Sequence, residues 1–159
     1  MRCRGAYLAV LVSLTGVTMV AAVHPRGDRS TCNVTTPSGS FATDKLRTSV
    51  PSDGTITFAP GGPGFVTSDG ALGMKFGWER RIAGKLRVTG IRLDGDAPPL
   101  RVHAPDGYGL IGFQASYLIF PTPGCWQVDA QVGDHADSAI SFVTRVVKIG
   151  AGPSWRLDP

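Results

Sequence analysis

The stretch that most constrains this chain is residues 123–148. Within it Trp126, Val128, Ala130 and Val132 recur at every second position, with Gln127, Asp129 and Gln131 between them. A period of two with one apolar and one polar face is the pattern of a β-strand that buries one side. A polar stretch follows over residues 133–138, then a second apolar run over 140–148. The pair reads as a long closing hairpin whose loop is residues 133–138.

The rest of the chain supplies partners of the same kind. Gly (21) and Pro (12) are frequent and interleave with β-branched and aromatic runs, and no helical period appears after the first two dozen residues. That favours many short strands joined by turns. Hydrophobic residues make up 42% and charged residues 18%, enough apolar material for one packed core.

Residues 1–22 carry Arg2 and Arg4, an apolar run and the small-residue ending Val20-Ala21-Ala22. This reads as a secretory signal cleaved after Ala22. The competing reading is an uncleaved membrane anchor, since the run approaches the ~20 residues that a spanning helix needs. Contact with a membrane is expected only in that second case. Lipid attachment at Cys32 is not expected, because Arg29, Ser30 and Thr31 lack the apolar residue of a lipoprotein signal. Without residues 1–22 the chain has 14 basic and 12 acidic residues, a net of +2. The basic residues are dispersed apart from Arg80 and Arg81, so a nucleic-acid partner is excluded for want of a concentrated basic surface.

Cleavage leaves Cys32 and Cys125. One disulfide between them is the expectation in an oxidising compartment, with two free thiols as the alternative. Closing so long a loop contributes up to roughly 4–5 kcal/mol in the chain-entropy model, less any strain. Cys125 precedes Trp126 in the strand and therefore lies on the opposite face, so the bond would pin the N-terminal segment outside the core.

Along the chain, residues 23–50 are polar and read as a linker with room for one short strand, with an Asn33-Val34-Thr35 glycosylation pattern that matters only in a host with that pathway. Residues 55–59 form a short strand, Pro60-Gly61-Gly62-Pro63-Gly64 a stiff turn, and 71–78 another strand. In 85–93, Leu86 and Val88 face in while Arg87 and Thr89 face out; Gly90 then breaks the phase, which predicts a bulge or a change of sheet. Residues 100–103 form an edge strand. Residues 112–120 carry apolar residues on both faces and read as a central strand covered on both sides near its end. Strands at this spacing predict an all-β, immunoglobulin-like antiparallel β-sandwich over residues 51–150, followed by a tail, 151–159.

Several segments resemble a group of uncharacterised secreted bacterial proteins: Leu93-Asp94 with Pro98-Pro99-Leu100, Asp106-Gly107-Tyr108-Gly109, Gly112-Phe113-Gln114-Ala115-Ser116, Ile119-Phe120-Pro121-Thr122, Pro123-Gly124-Cys125-Trp126, and the run from Phe142 through Lys148. The resemblance covers most of the chain after residue 22 and implies no activity. Gly124-Cys125-Trp126-Gln127-Val128 also resembles the penultimate strand of bacterial immunoglobulin-like modules, which bears on fold and not on function.

Three groups of side chains are candidates for chemistry. Asp134, His135 and Asp137 place three potential metal ligands in the hairpin loop, but one His and two carboxylates do not fill a coordination shell, and a solvated turn is the preferred reading. Trp78, Tyr108 and Tyr117 are candidate recognition aromatics, and the best of them is Trp78, which with Glu79, Arg80 and Arg81 combines an aromatic and guanidinium groups at a strand end, the composition of a contact patch; the alternative is aromatics that plug the end of the sandwich. The histidines His24, His103 and His135 are far apart and no Ser stands in a nucleophile motif, so catalysis is not expected and no cofactor is implied. The two prolines of residues 60–64 remove the amide donors that a phosphate loop needs. The functional expectation is a secreted or cell-envelope module that binds a protein or envelope component. An extracellular protease inhibitor is the alternative, and a hydrolase comes third.

Overall fold

The computed structural model describes residues 31–36 and 41–157, so the signal segment 1–22 and His24 lie outside the described residues. Nine strands form two sheets: β1 (Leu46–Thr48), β2 (Thr55–Phe58), β3 (Phe65–Val66), β4 (Leu72–Arg80), β5 (Leu86–Arg92), β6 (Arg101–His103), β7 (Gly112–Phe120), β8 (Gly124–Val132) and β9 (His135–Lys148). One sheet has the order β1-β4-β7-β6, with the short β3 also on β4; the other has the order β2-β9-β8-β5. No helix occurs among the described residues.

The core lies between the sheets because each long strand points alternate side chains inward. Strand β8 buries Trp126, Val128, Ala130 and Val132, the face read from the alternation. Opposite them, β4 contributes Leu72, Phe76 and Trp78, and β7 contributes Leu118 and Phe120. The sheets meet through aromatic pairs, Phe76 on Phe142 at 6.0 Å between ring centres and Phe120 edge-on to Trp126 at 5.7 Å. Each such ring pair adds about 0.5–1.5 kcal/mol beyond burial. As expected, β7 is flanked by strands on both sides, and its second face is covered near its end, where Phe65 packs edge-on to Tyr117 at 5.4 Å and Ile119 is buried.

Three expectations are corrected. The sandwich is not wholly antiparallel: β2 runs parallel to β9, with Thr55 opposite Arg145 and Phe58 opposite Lys148. The chain leaves β1 in one sheet and enters β2 in the other through residues 49–54, and this crossing sets the direction of β2. Second, Gly90 makes neither a bulge nor a sheet change, because β5 pairs with β8 without a register shift from Leu86 to Arg92. Gly90 is buried and Ile91 exposed, so the strand keeps its phase. A Cβ on Gly90 would come within 2.9 Å of the Leu100 side chain, and the Leu100 amide donates to the Gly90 carbonyl at 3.0 Å. The glycine is there to let a neighbouring segment approach, the other use of glycine inside a strand.

Third, residues 133–138 are not a loop. The turn is Gly133-Asp134, and β9 resumes at His135, opposite Val132. The register shift between Ala130 and Val132 would leave an amide without a ladder partner. Ser138 resolves this: its buried hydroxyl accepts from the Val132 N–H at 2.9 Å and donates to the His135 carbonyl at 2.6 Å. A polar sequence thus continues as a strand because one of its hydroxyls replaces a backbone partner.

The Cys32–Cys125 disulfide is present. Cys125 sits opposite the Trp126 face and is buried under the N-terminal segment. That segment runs on along β9 past the end of β2: the Thr35 amide donates to the Val143 carbonyl and the Val143 amide to the Thr35 hydroxyl. At the other terminus, the Val66 amide donates to Trp155 and the Leu157 amide to Val66, so the segment before residue 158 lies along β3.

Candidate binding surface

The geometry overturns the contact patch expected at Trp78, Arg80 and Arg81. Leu72, Met74, Phe76, Trp78 and Arg80 share the inward phase of β4. Trp78 is fully buried, and its indole N–H donates to Ser116 Oγ at 2.8 Å. Arg80 is buried at the end of the same row. Only Arg81 is exposed, past the strand end, where it pairs with Glu79 at 3.4 Å. The three residues therefore do not share a surface.

Arg80 does something else. Its guanidinium donates to the carbonyls of Gly84 and Gly109, and the Gly84 amide donates to the Leu110 carbonyl at 2.8 Å. Two of these hydrogen bonds, Arg80 to Gly109 and Gly84 to Leu110, fasten the β6–β7 connection to the end of β4 and the β4–β5 connection, and the third, Arg80 to Gly84, holds the β4–β5 connection to β4. Burial pushes the Arg80 pKa below its ordinary value, yet an arginine starts so high that it keeps its charge. Its Nε has no partner, which makes the anchorage by the two terminal nitrogens costly to lose.

Held in this way, the β6–β7 connection and the start of β7 expose a dense apolar group. Tyr108 is 37% exposed, Leu110 60%, Ile111 59% and Phe113 61%. Tyr108 and Phe113 meet edge to face at 6.2 Å. Phe113 lies on the outer face of β7 with Ala115, Tyr117 and Ile119, but the cover provided by Phe65 and Leu157 stops short of it. Its ring leans over Gly77 of β4, where a Cβ would stand 2.9 Å from Phe113 Cε2, so only glycine permits that approach. Four large apolar side chains within six residues are more than the singly scattered ones of an ordinary surface. Ile91 and Leu93, a pair at the end of β5, and Ile149 and Trp155, past the end of β9, are also exposed, but neither pair matches the density of residues 108–113.

The sequence reading names Tyr108 as a candidate recognition aromatic but passes over Leu110, Ile111 and Phe113. A signal was present. Tyr108, Leu110 and Ile111 are large apolar residues interleaved with Gly107, Gly109 and Gly112, and residues in a glycine-rich connection have no strand phase to bury them.

Of the three metal-ligand candidates, the two aspartates are drawn to different partners. Asp134, at the turn, pairs with Arg87 at 2.5 Å, and Asp137, on β9, pairs with Lys45. That hydrogen bond is the main reason the Asp137 carboxyl lies below, and the Lys45 ammonium above, its ordinary range. Each aspartate thus already has a cationic partner. Among the described residues no three His, Cys, Asp or Glu side chains cluster as a metal site. His103 stacks on Tyr117 at 6.1 Å.

Compared with models of known protein families and with curated protein sequences, the chain matches none.

Proposed function

We propose that the protein is a secreted or cell-envelope immunoglobulin-like module that binds a protein or envelope partner through Tyr108, Leu110, Ile111 and Phe113. The observation that carries this reading is the exposure of those four side chains on a connection tied down by Arg80. Burying such a side chain is worth roughly 1.5–3 kcal/mol. Because the backbone beneath is already held, less of that gain is spent on ordering the loop.

The fold name rests on strand order. An immunoglobulin-like sandwich places its first, second, fifth and fourth strands in one sheet and its third, sixth and seventh in the other. Taking β1 as the first strand, β4 to β9 as the second to seventh, and β2 as the continuation of the first into the opposite sheet reproduces that order. The disulfide favours an extracytoplasmic site, where such bonds persist. A protease inhibitor has less support, since Phe65, Val66 and Thr67 are buried in the middle of the connection at residues 60–70 and leave only two short turns, 60–64 and 68–70, on the surface in place of one projecting loop.

The test is capture of envelope proteins by the immobilised protein. Replacing Leu110 and Ile111 together with Ser is expected to abolish capture while the circular-dichroism spectrum is unchanged. Undiminished capture by that folded variant would remove the basis of the assignment.

A further inference from the structure

A second site, made by other elements than the 108–113 surface, lies where the first strand crosses between the sheets. Strand β4 has β7 along its whole length on one side. On its other side β1 pairs only with Trp78, Glu79 and Arg80, and β3 only with Leu72 and Gly73. Residues 74–77 have no strand beside them there. The direction of the free backbone groups follows from their neighbours: the Gly77 carbonyl accepts from Thr48 Oγ1 at 2.9 Å and the Arg81 amide donates to Lys45 at 2.8 Å, both on the β1 side. The two-residue alternation of a strand then turns the Lys75 N–H and C=O to that side as well.

Next to this open edge is a hollow of about 620 Å³, walled by Val50, Pro51, Ile56, Pro63, Met74 and Phe76. Lys75 itself is exposed and makes no ion pair within the described residues. The three features specify one kind of occupant. An extended backbone matches the unpaired donor and acceptor of Lys75; apolar side chains match the hollow; an acidic side chain matches the Lys75 ammonium. In an added strand, the residue opposite Lys75 shares its outward face, and the residues before and after it point inward.

We propose that residues 74–77 of β4 accept a short extended peptide of the pattern apolar–acidic–apolar, inserted between β1 and β3 and antiparallel to β4 as they are. The acidic residue exchanges both backbone hydrogen bonds with Lys75 and faces its ammonium, and the two apolar residues enter the hollow. The gap spans about 13 Å at the strand rise, room for three or four residues. Recognition by strand addition takes its affinity from the main chain and its specificity from alternate side-chain pockets.

The experiment titrates the full chain, labelled with 15N, with the capped peptide acetyl-Val-Glu-Val-amide. Saturable shifts are expected at the amides of Thr48, Ile56, Gly73, Lys75 and Gly77, with those of residues 108–113 unmoved. Methylating the backbone nitrogen of the central Glu is expected to weaken binding at least tenfold, because it removes the donor to the Lys75 carbonyl. Lys75→Glu, an exposed change that leaves the fold intact, is expected to weaken the Glu peptide about two- to fivefold and to favour a Lys-centred peptide by a similar factor. Absence of saturable shifts at millimolar peptide would overturn the proposal. So would equal binding of the N-methylated peptide, preferential occupation by decanoate, or shifts at these amides that track protein concentration alone and mark a second copy as the occupant.

Discussion

Two segments of this protein have opposite compositions, and each behaves against its own. Residues 78–81 hold a tryptophan and two arginines, the ingredients of a contact patch, yet Trp78 and Arg80 are buried. Residues 108–113 hold Tyr, Leu, Ile and Phe among glycines, the ingredients of a core, yet they are exposed. Strand phase makes the difference. Trp78 and Arg80 sit on a nine-residue strand whose alternation carries them inward, whereas Tyr108, Leu110 and Ile111 sit on a connection that has no inward face. The two segments are linked, since the buried Arg80 holds the exposed connection in place. A residue's chemistry therefore says less about contact than the element that carries it.

The largest effect that tests this contrast is on the buried side. Trp78→Ala should destabilise the protein by about 3–5 kcal/mol, through the cavity and the lost bond to Ser116, read as a shift of the urea midpoint at constant slope. A change below about 1 kcal/mol would place Trp78 at the surface after all. Removing the disulfide by Cys32→Ala with Cys125→Ala should cost up to about 4 kcal/mol in the same assay, through the freed unfolded chain. Arg80→Met should cost about 1–3 kcal/mol, since it removes the donors to Gly84 and Gly109. It should also speed amide exchange across residues 107–111, which tests the link between the two segments. Leu110→Ser with Ile111→Ser should change stability by no more than about 0.5 kcal/mol, as exposed positions do.

The smallest effect is electrostatic. Asp137 is held below its ordinary range by Lys45, and Asp69 by Thr67 and Arg101. A carboxylate whose folded pKa is lowered contributes stability above its unfolded pKa and loses it as the pH falls through the folded value. The loss should thus begin only below about pH 4, and Lys45→Met should return the Asp137 titration, followed by carboxyl NMR, toward its ordinary range. Both carboxylates are exposed and screened, so the thermal midpoint should hardly move with Lys45→Met at neutral pH.

What was legible in the sequence was what alternation controls. The Trp126 face, the central place of β7 and the opposite face of Cys125 all follow from a period of two. What was not legible depended on contacts distant in sequence. Gly90 looked like a bulge because the side chain that needs its space, Leu100, lies ten residues on. The residues around Asp134, His135 and Asp137 looked like a loop because nothing local shows that Ser138 would serve the Val132 amide. Of the 108–113 surface only Tyr108 was legible, because the exposure of the rest depends on where the cover from Phe65 and Leu157 ends.

The most direct test of the central claim is site-specific photocrosslinking in the native envelope, with the photoreactive residue at position 111 in one form of the protein and at position 81 in another. The 111 form should yield a discrete crosslinked partner that unlabelled protein competes away, and the 81 form should yield none. A competed product from position 81 alone would return the contact surface to the end of β4 and contradict the account.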